Sequence, residues 1–250
     1  MSKTLYCTTS KSIIYRKADN NSEHLKEILY GEEFVKLRDY KNFYYGYSTY
    51  DNYFGYIKKK DFKKFTLKPN FFIKSKKAYL YKSNKLNSKT KSFLYLNSKI
   101  HIIRKGKFFS KVKDKWIQNY NLSSIKKRYN NNYLEKINFF YKTKYNWGGN
   151  TIDGIDCSGL VQELMKSKLK KCPRDSKDQE IFFKKKINLN KVKKGDLLFW
   201  KGHVAIALNN QICIHAYGPM KKVVKMKINN VISELSKKSL KLSSVRRPFS

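Results

Sequence analysis

Through its first 124 residues the chain repeats one device: a run of three to five mostly aromatic or β-branched residues, then a stop at Gly, Asn or Asp. The runs at 12–15, 33–37, 43–47 and 53–57 come first, and those at 78–81, 99–103, 108–112 and 115–117 follow. Each suits a short strand that buries one face. Strands that return every ~10 residues are the pattern of small barrels. The second series repeats the first with little identity. The expected architecture is two small β-barrels in tandem, residues 1–66 and 67–128, meeting near 67–70.

The asparagines at 130–132 break this pattern, and a different period follows. From Tyr133 onward, Leu134, Ile137, Phe140 and Tyr141 recur on one helical face. Residues 155–170 carry a second stripe, Leu160, Val161, Leu164 and Met165. Asp156 has the side chain of an N-cap, which puts Cys157 in the first turn. After a basic loop, residues 196–200, 203–208 and 211–217 read as strands, with Lys201-Gly202 and Asn209-Asn210 as the turns. Alternation gives His203, Ala205 and Ala207 one face, and Gln211, Cys213, His215 and Tyr217 one face of the next strand. Adjacent antiparallel strands then set His203 near His215, both pointing towards the helix of Cys157. Residues 129–250 are expected to be an α+β domain, a helix packed on an antiparallel sheet.

Cys157 is the candidate nucleophile. A thiol reacts as its thiolate, and a helix N-terminus lowers its pKa from about 8.5. Gly148, Gly149 and Gly154 are expected to let the backbone turn tightly and leave room for a substrate. His203 is the candidate general base, taking the thiol proton and returning it to a leaving amine. His215 would hold His203 in the correct tautomer, as Asn or Asp does in other triads. The N–H of Cys157 and the hydroxyl of Tyr145 are candidate donors to an oxyanion. His24 and His101 fall in the barrels and read as incidental. Cys213 with His203 and His215 could begin a metal site, but no fourth ligand is evident. No cofactor is called for.

The formal charge of +38 over 250 residues would suit a polyanion. However, the basic residues are spread along the whole length, and only seven of the 56 are arginine. Phosphate-reading proteins cluster their charge and favour arginine, so nucleic acid is not an obligatory partner in this reading. Cys7, Cys157, Cys172 and Cys213 include no C-x-x-C pair and read as reduced thiols. The first residues lack the apolar core of a signal peptide, and no stretch has ~18 uninterrupted apolar residues. The expectation is a cytoplasmic protein without a membrane partner.

Several blocks, in order, resemble the NlpC-type family of papain-like cell-wall peptidases. They are Tyr145-x-Trp147-Gly148-Gly149, Asp156-Cys157-Ser158-Gly159-Leu160-Val161, Gly195-Asp196-Leu197, Gly202-His203-Val204-Ala205-Ile206 and Ile214-His215-Ala216. The order Cys before His excludes the permuted lipid-acyltransferase branch. The resemblance implies a Cys157, His203 and His215 triad with Tyr145 lining the oxyanion site, on a papain-like α+β domain. The N-terminal half resembles tandem bacterial SH3-like domains. That combination is similar to the γ-D-glutamyl-L-diamino-acid endopeptidases that recycle murein peptides. It implies a murein-derived peptide with a free N-terminal L-Ala as substrate. Pro173-Arg174-Asp175-Ser176 resembles the block whose Asp pairs with that ammonium and whose Ser helps hold the peptide. Tyr53 resembles the tyrosine that completes the amine pocket, while Asp19, Glu23, Glu32 and Glu33 compete for its further acidic contact. Asp156 and Ser158 are expected beside the substrate. Two other readings stay open: an exported hydrolase or amidase of intact wall, and a non-enzymatic binder of polyanions.

Overall fold

The computed structural model describes residues 3–126 and 132–249. The break expected at 130–132 thus falls mostly outside the described residues. The chain divides into two compact units, Met1–Tyr129 and Asn130–Ser250.

In the first unit the early runs form one seven-stranded antiparallel sheet. Its order is His24–Leu29, Lys11–Tyr15, Tyr53–Lys58, Phe43–Ser48, Glu33–Tyr40, Lys3–Cys7, Phe62–Lys63. Leu5, Ile14, Ile28, Phe34, Ile57 and Phe62 form its core. The later runs form a five-stranded sheet, Lys89–Tyr95, Lys77–Tyr81, Lys115–Gln118, Phe109–Val112, Arg104–Lys105. A three-stranded sheet, Lys99–Ile100, Phe71–Ile73, Leu122–Ser124, stands beside it. These share a second core of Ile73, Ala78, Leu94, Ile100, Val112 and Ile117. Among the described residues no ladder joins the end strands of either system into a closed circuit. The shortest strands hold only two residues, too few to carry hydrogen bonds all the way round.

The turn after His24–Leu29 ties the two systems together. Tyr30 is buried in the second core, and the Lys99 N–H donates to its carbonyl at 2.8 Å. Gly31 follows with φ +74°, and a Cβ there would lie 1.8 Å from the Lys99 carbonyl oxygen. Only glycine fits that approach.

The second unit is built on a six-stranded antiparallel sheet: β1 (Lys186–Ile187), β2 (Leu197–Trp200), β3 (His203–Ala207), β4 (Ile212–Tyr217), β5 (Lys222–Lys227) and β6 (Leu242–Arg246). The spatial order is β1-β6-β2-β3-β4-β5. Three helices accompany it, α1 (Cys157–Lys166), α2 (Ser176–Phe182) and α3 (Ile228–Ser236). Ile228, Val231 and Leu235 of α3 pack with Leu198, Ala205, Ala207, Cys213 and Tyr217 on one face. Val204, Ile206, Ile214 and Ala216 alternate to the other face and are also buried, where α1 packs on β3 and β4. The fold is α+β, a helix packed on an antiparallel sheet.

α1 is buried along its whole length, polar residues included. Leu160, Val161, Leu164 and Met165 are fully buried, as the stripe requires. The polar side is satisfied internally. Asn150 donates to Gln162 and Glu163 at 3.2 Å, Lys166 pairs with Glu163 at 2.9 Å, and Gln162 donates to the Cys172 carbonyl at 3.0 Å.

The helix expected from Tyr133 is a 3-10 helix, Tyr133–Phe139. Three residues per turn keep Leu134, Ile137 and Phe140 buried on one face, whereas Tyr141 leaves it and is exposed.

Candidate active site

Asp156 caps α1 from an extended conformation, its Oδ1 accepting from the Gly159 N–H at 2.7 Å. Cys157 is therefore the first residue of the helix. Its thiol is buried, and the backbone N–H groups of Val204 and Ser158 hydrogen-bond towards the sulfur. Val204 is the neighbour of His203, so the thiol meets β3 at the strand end that carries the histidine. The Nε2 of His203 lies 2.8 Å from Nδ1 of His215. That leaves Nδ1 as the nitrogen of His203 that does not face His215.

The face on which the histidines lie differs from expectation. His203 and His215 share the sheet face of Ala205, Ala207, Cys213 and Tyr217, which α3 covers. α1 lies on the opposite face. The Cys157 thiol reaches the sheet at its rim, beside Val204, and His203 is the first residue of that strand.

The charge state differs as well. Burial, with the Asp156 carboxylate next door, pushes the Cys157 thiol up to about 12. The Val204, Ser158 and Arg174 contributions oppose this without reversing it. Burial pulls His203 down to about 4, and burial together with His203 pulls His215 down to about 3. The uncomplexed site therefore holds a neutral thiol and neutral imidazoles.

Tyr145 sits at the same place. Its N–H donates to the Lys221 carbonyl at 2.8 Å, and it bridges Ile155, one residue before the cap. Burial and the proximity of Cys157 and Asp156 hold its phenol in the protonated, donating form. Gly148, with φ +73°, makes the tight turn expected of it, but the room expected beside it is not there at Gly149. A Cβ on Gly149 would meet the Gly154 carbonyl oxygen at 2.5 Å, so its space is filled by backbone and not left open for a ligand.

Arg174, to which the motifs assign no role, organises the whole corner. Buried itself, it donates from Nη1 to Asp156 Oδ1 at 2.9 Å and to Ser158 Oγ at 2.8 Å. Nη2 reaches Asp156 Oδ2 at 2.5 Å and Nε reaches Asn150 Oδ1 at 3.2 Å. Asp156 also accepts from the Gly148 N–H at 2.8 Å, so both its oxygens are engaged within the protein. A direct contact from Asp156 or Ser158 to substrate would require giving up one of these bonds. Gln179 adds a second tie, donating to the carbonyls of Ser158 and Pro173, each at 2.9 Å. Asp175 and Ser176 thus ride on a segment fastened to the cap of the Cys157 helix. Asp175 is exposed and Ser176, which opens α2, is buried.

Tyr53 belongs to the first unit, opposite Ser48, with the Lys26 ammonium 5.8 Å from its ring centroid. Of the acidic residues that compete for the further amine contact, Glu32 is buried and accepts from the Leu29 N–H at 2.8 Å, and Glu23 pairs with Arg16 at 2.5 Å. Among the described residues no group of three or more His, Cys, Asp or Glu is placed to hold a metal ion. None of the described helices is long and apolar enough to cross a membrane.

A thiol at a helix N-terminus and a histidine pair on the antiparallel sheet under that helix are the arrangement found in papain-like cysteine hydrolases. Residues 142–243 match the NlpC/P60 family. The probable endopeptidase NlpC of Escherichia coli K12 is 31% identical over 105 residues, covering 39% of this chain and 67% of that protein. The chain belongs to the NlpC/P60 family. The gamma-D-glutamyl-L-lysine dipeptidyl-peptidase of Bacillus subtilis 168 is 32% identical over 120 residues, 45% of this chain and 38% of that protein. Dipeptidyl-peptidase 6 of Lysinibacillus sphaericus is 40% identical over 77 residues, 31% of this chain and 28% of that protein. The matches to these two dipeptidyl-peptidases thus span well under half of their length. The crystal structure of an NlpC/P60 family protein from Bacillus cereus ATCC 10987 superposes with a TM-score of 0.83 at 18% identity, covering 99% of this chain and 100% of that one. That likeness bears on the fold.

Proposed function

We propose that this protein is a cysteine peptidase that cleaves the γ-D-glutamyl-L-diamino acid bond of free murein peptides carrying an N-terminal L-Ala. The observation that carries this reading is the fastening of the 173–176 segment to the Cys157 cap through Arg174. A segment with an exposed carboxylate is thereby held in fixed relation to the nucleophile. The relatives named dipeptidyl-peptidase support the same reading.

In this mechanism Nδ1 of His203 takes the thiol proton as the sulfur attacks the peptide carbonyl. The tetrahedral oxyanion accepts from the Cys157 N–H and the Tyr145 hydroxyl. Collapse expels the diamino acid amine, which takes the proton from His203, and leaves an acyl-thioester on Cys157. His203 then deprotonates water, which attacks the thioester and restores the thiol. Asp175 pairs with the L-Ala ammonium and Ser176 hydrogen-bonds the peptide, with Tyr53 assigned to amine recognition by resemblance. A carboxylate facing a desolvated ammonium is the pairing such a group requires. Free peptides of this kind place the reaction in the cytoplasm, which subcellular fractionation would test.

The decisive experiment follows L-Ala-γ-D-Glu-L-Lys and its diaminopimelate counterpart by mass spectrometry. Cys157→Ala and His203→Ala should abolish cleavage, and acetylating the L-Ala amine should cut kcat/KM sharply. Full activity in either variant would overturn the triad. Unchanged kinetics with the acetylated peptide would overturn the amine-reading segment. A second reading, an exported hydrolase of intact wall, draws on the likeness to the probable endopeptidase of Escherichia coli. Clearing of intact peptidoglycan with no cleavage of free peptides would select it.

A further inference from the structure

His215, the third member of the triad, is fully buried. One edge of its ring meets His203, and Nε2 on the other edge lies 3.3 Å from Sδ of Met226. Met226 is on β5, where it pairs with Cys213 across the ladder and so shares the sheet face of His215. Tyr217 stacks on the imidazole at 4.8 Å and 25°, and its own hydroxyl donates to Glu234 at 3.1 Å. The ring of His215 is therefore held in its plane, with one nitrogen facing another histidine and the other facing a thioether.

A thioether sulfur accepts a hydrogen bond and has no proton to give. A neutral imidazole has one N–H and one lone pair. We infer that Met226 fixes the tautomers of both histidines: by accepting from Nε2–H of His215 it leaves the Nδ1 lone pair of His215 for Nε2–H of His203. His203 then presents a bare Nδ1 to the thiol. Had the proton of His215 been on Nδ1, it would donate to Nε2 of His203 and leave a proton on Nδ1, the nitrogen that must act as base. Met226 is thus a positioning residue, joined to His203 through two successive hydrogen bonds. This inference rests on the proposed roles of Cys157 and His203, but not on the identity of the peptide.

The experiment compares the wild-type protein with Met226→Leu and with protein in which norleucine replaces methionine, a replacement of the same length that lacks the sulfur. Two-bond proton–nitrogen couplings of the imidazoles report the tautomers in the free protein, without substrate. The wild type should show His203 as a single Nε2–H tautomer. Both altered proteins should show a mixture, with kcat lowered about tenfold and KM within about twofold, the scale set by leaving a buried donor unsatisfied. His203 remaining a single Nε2–H tautomer in both would overturn the assignment, whatever happens to kcat. If Met226→Leu does not fold, the norleucine protein alone decides between the two outcomes. Failure of the substrate reading would leave the spectra unaffected.

Discussion

At Cys157 two influences oppose each other. The helix end and the Val204 and Ser158 amides favour the thiolate, while burial and Asp156 favour the thiol, and burial prevails. The pH dependence of kcat/KM follows from this balance. In its proposed role as base His203 must be neutral, so the rate should rise through about pH 4 and then stay flat across neutrality, because the thiol near 12 adds no limb there. A stopped-assay profile between pH 3 and 9 checks it, and a rising limb near the ordinary histidine value of 6.5 would contradict it. Arg174 makes a second case. Its partner Asp156 is also buried, and removing one half of a buried ion pair typically costs about 3–5 kcal/mol. Arg174→Ala should lose about that much in chemical denaturation, and Arg174→Lys should recover only part, since a lysine cannot make the paired contacts. Tyr145 is singled out by the family resemblance, whereas the placement of Cys157 at the start of its helix and of His203 beside His215 is legible in the sequence from residue spacing. Arg174 is not, although a chain with seven arginines among 56 basic residues offers a hint by keeping one there. Met226 leaves no signal in the sequence, because its partner is set by ladder register.

Among the elements, those with a clean period are legible. The stripe of α1 and the hairpin of β2 and β3 follow from residue spacing, and the Trp200 and His203 pair brackets the expected turn. The strands Lys3–Cys7, His24–Leu29 and Lys89–Tyr95 are not apparent from the pattern of runs. Each carries lysine and other polar residues in or beside its apolar run, and in His24–Leu29 the lysine is itself buried, paired with Asp51 at 2.6 Å. A buried ion pair disguises a core position as a surface one. The 3-10 segment at Tyr133–Phe139 passes for an α-helix because periods of 3.0 and 3.6 part only after two turns. The join between the two early sheet systems can be tested by Gly31→Ala. The added methyl meets the Lys99 carbonyl and the positive φ disfavours it, so the first unit should lose several kcal/mol, about the sum of strain and a broken contact. The melting of the second unit should change much less. Differential scanning calorimetry separates the two effects.

For the molecule as a whole, buried neutral groups set the pH range of stability. His203 and His215 bind protons less readily when folded than the ordinary value of 6.5 allows. Their contribution is complete above 6.5 and is lost as pH falls towards 4 and 3. Cys7, Cys157 and Cys213 are all raised from 9.0 to about 12 by burial. That contribution is complete below 9.0 and is lost as pH rises towards 12. Thermal midpoints should therefore be highest between about 6.5 and 9 and fall on both sides, and a monotonic trend across that window would refute the account. The complete burial of α1 also governs how the site opens. Amide protons of a helix with no solvent-facing side exchange only when the surrounding domain opens. The backbone behind the reactive sulfur should then rank among the slowest-exchanging in the second unit, and heat should silence the enzyme at the same temperature at which that domain melts.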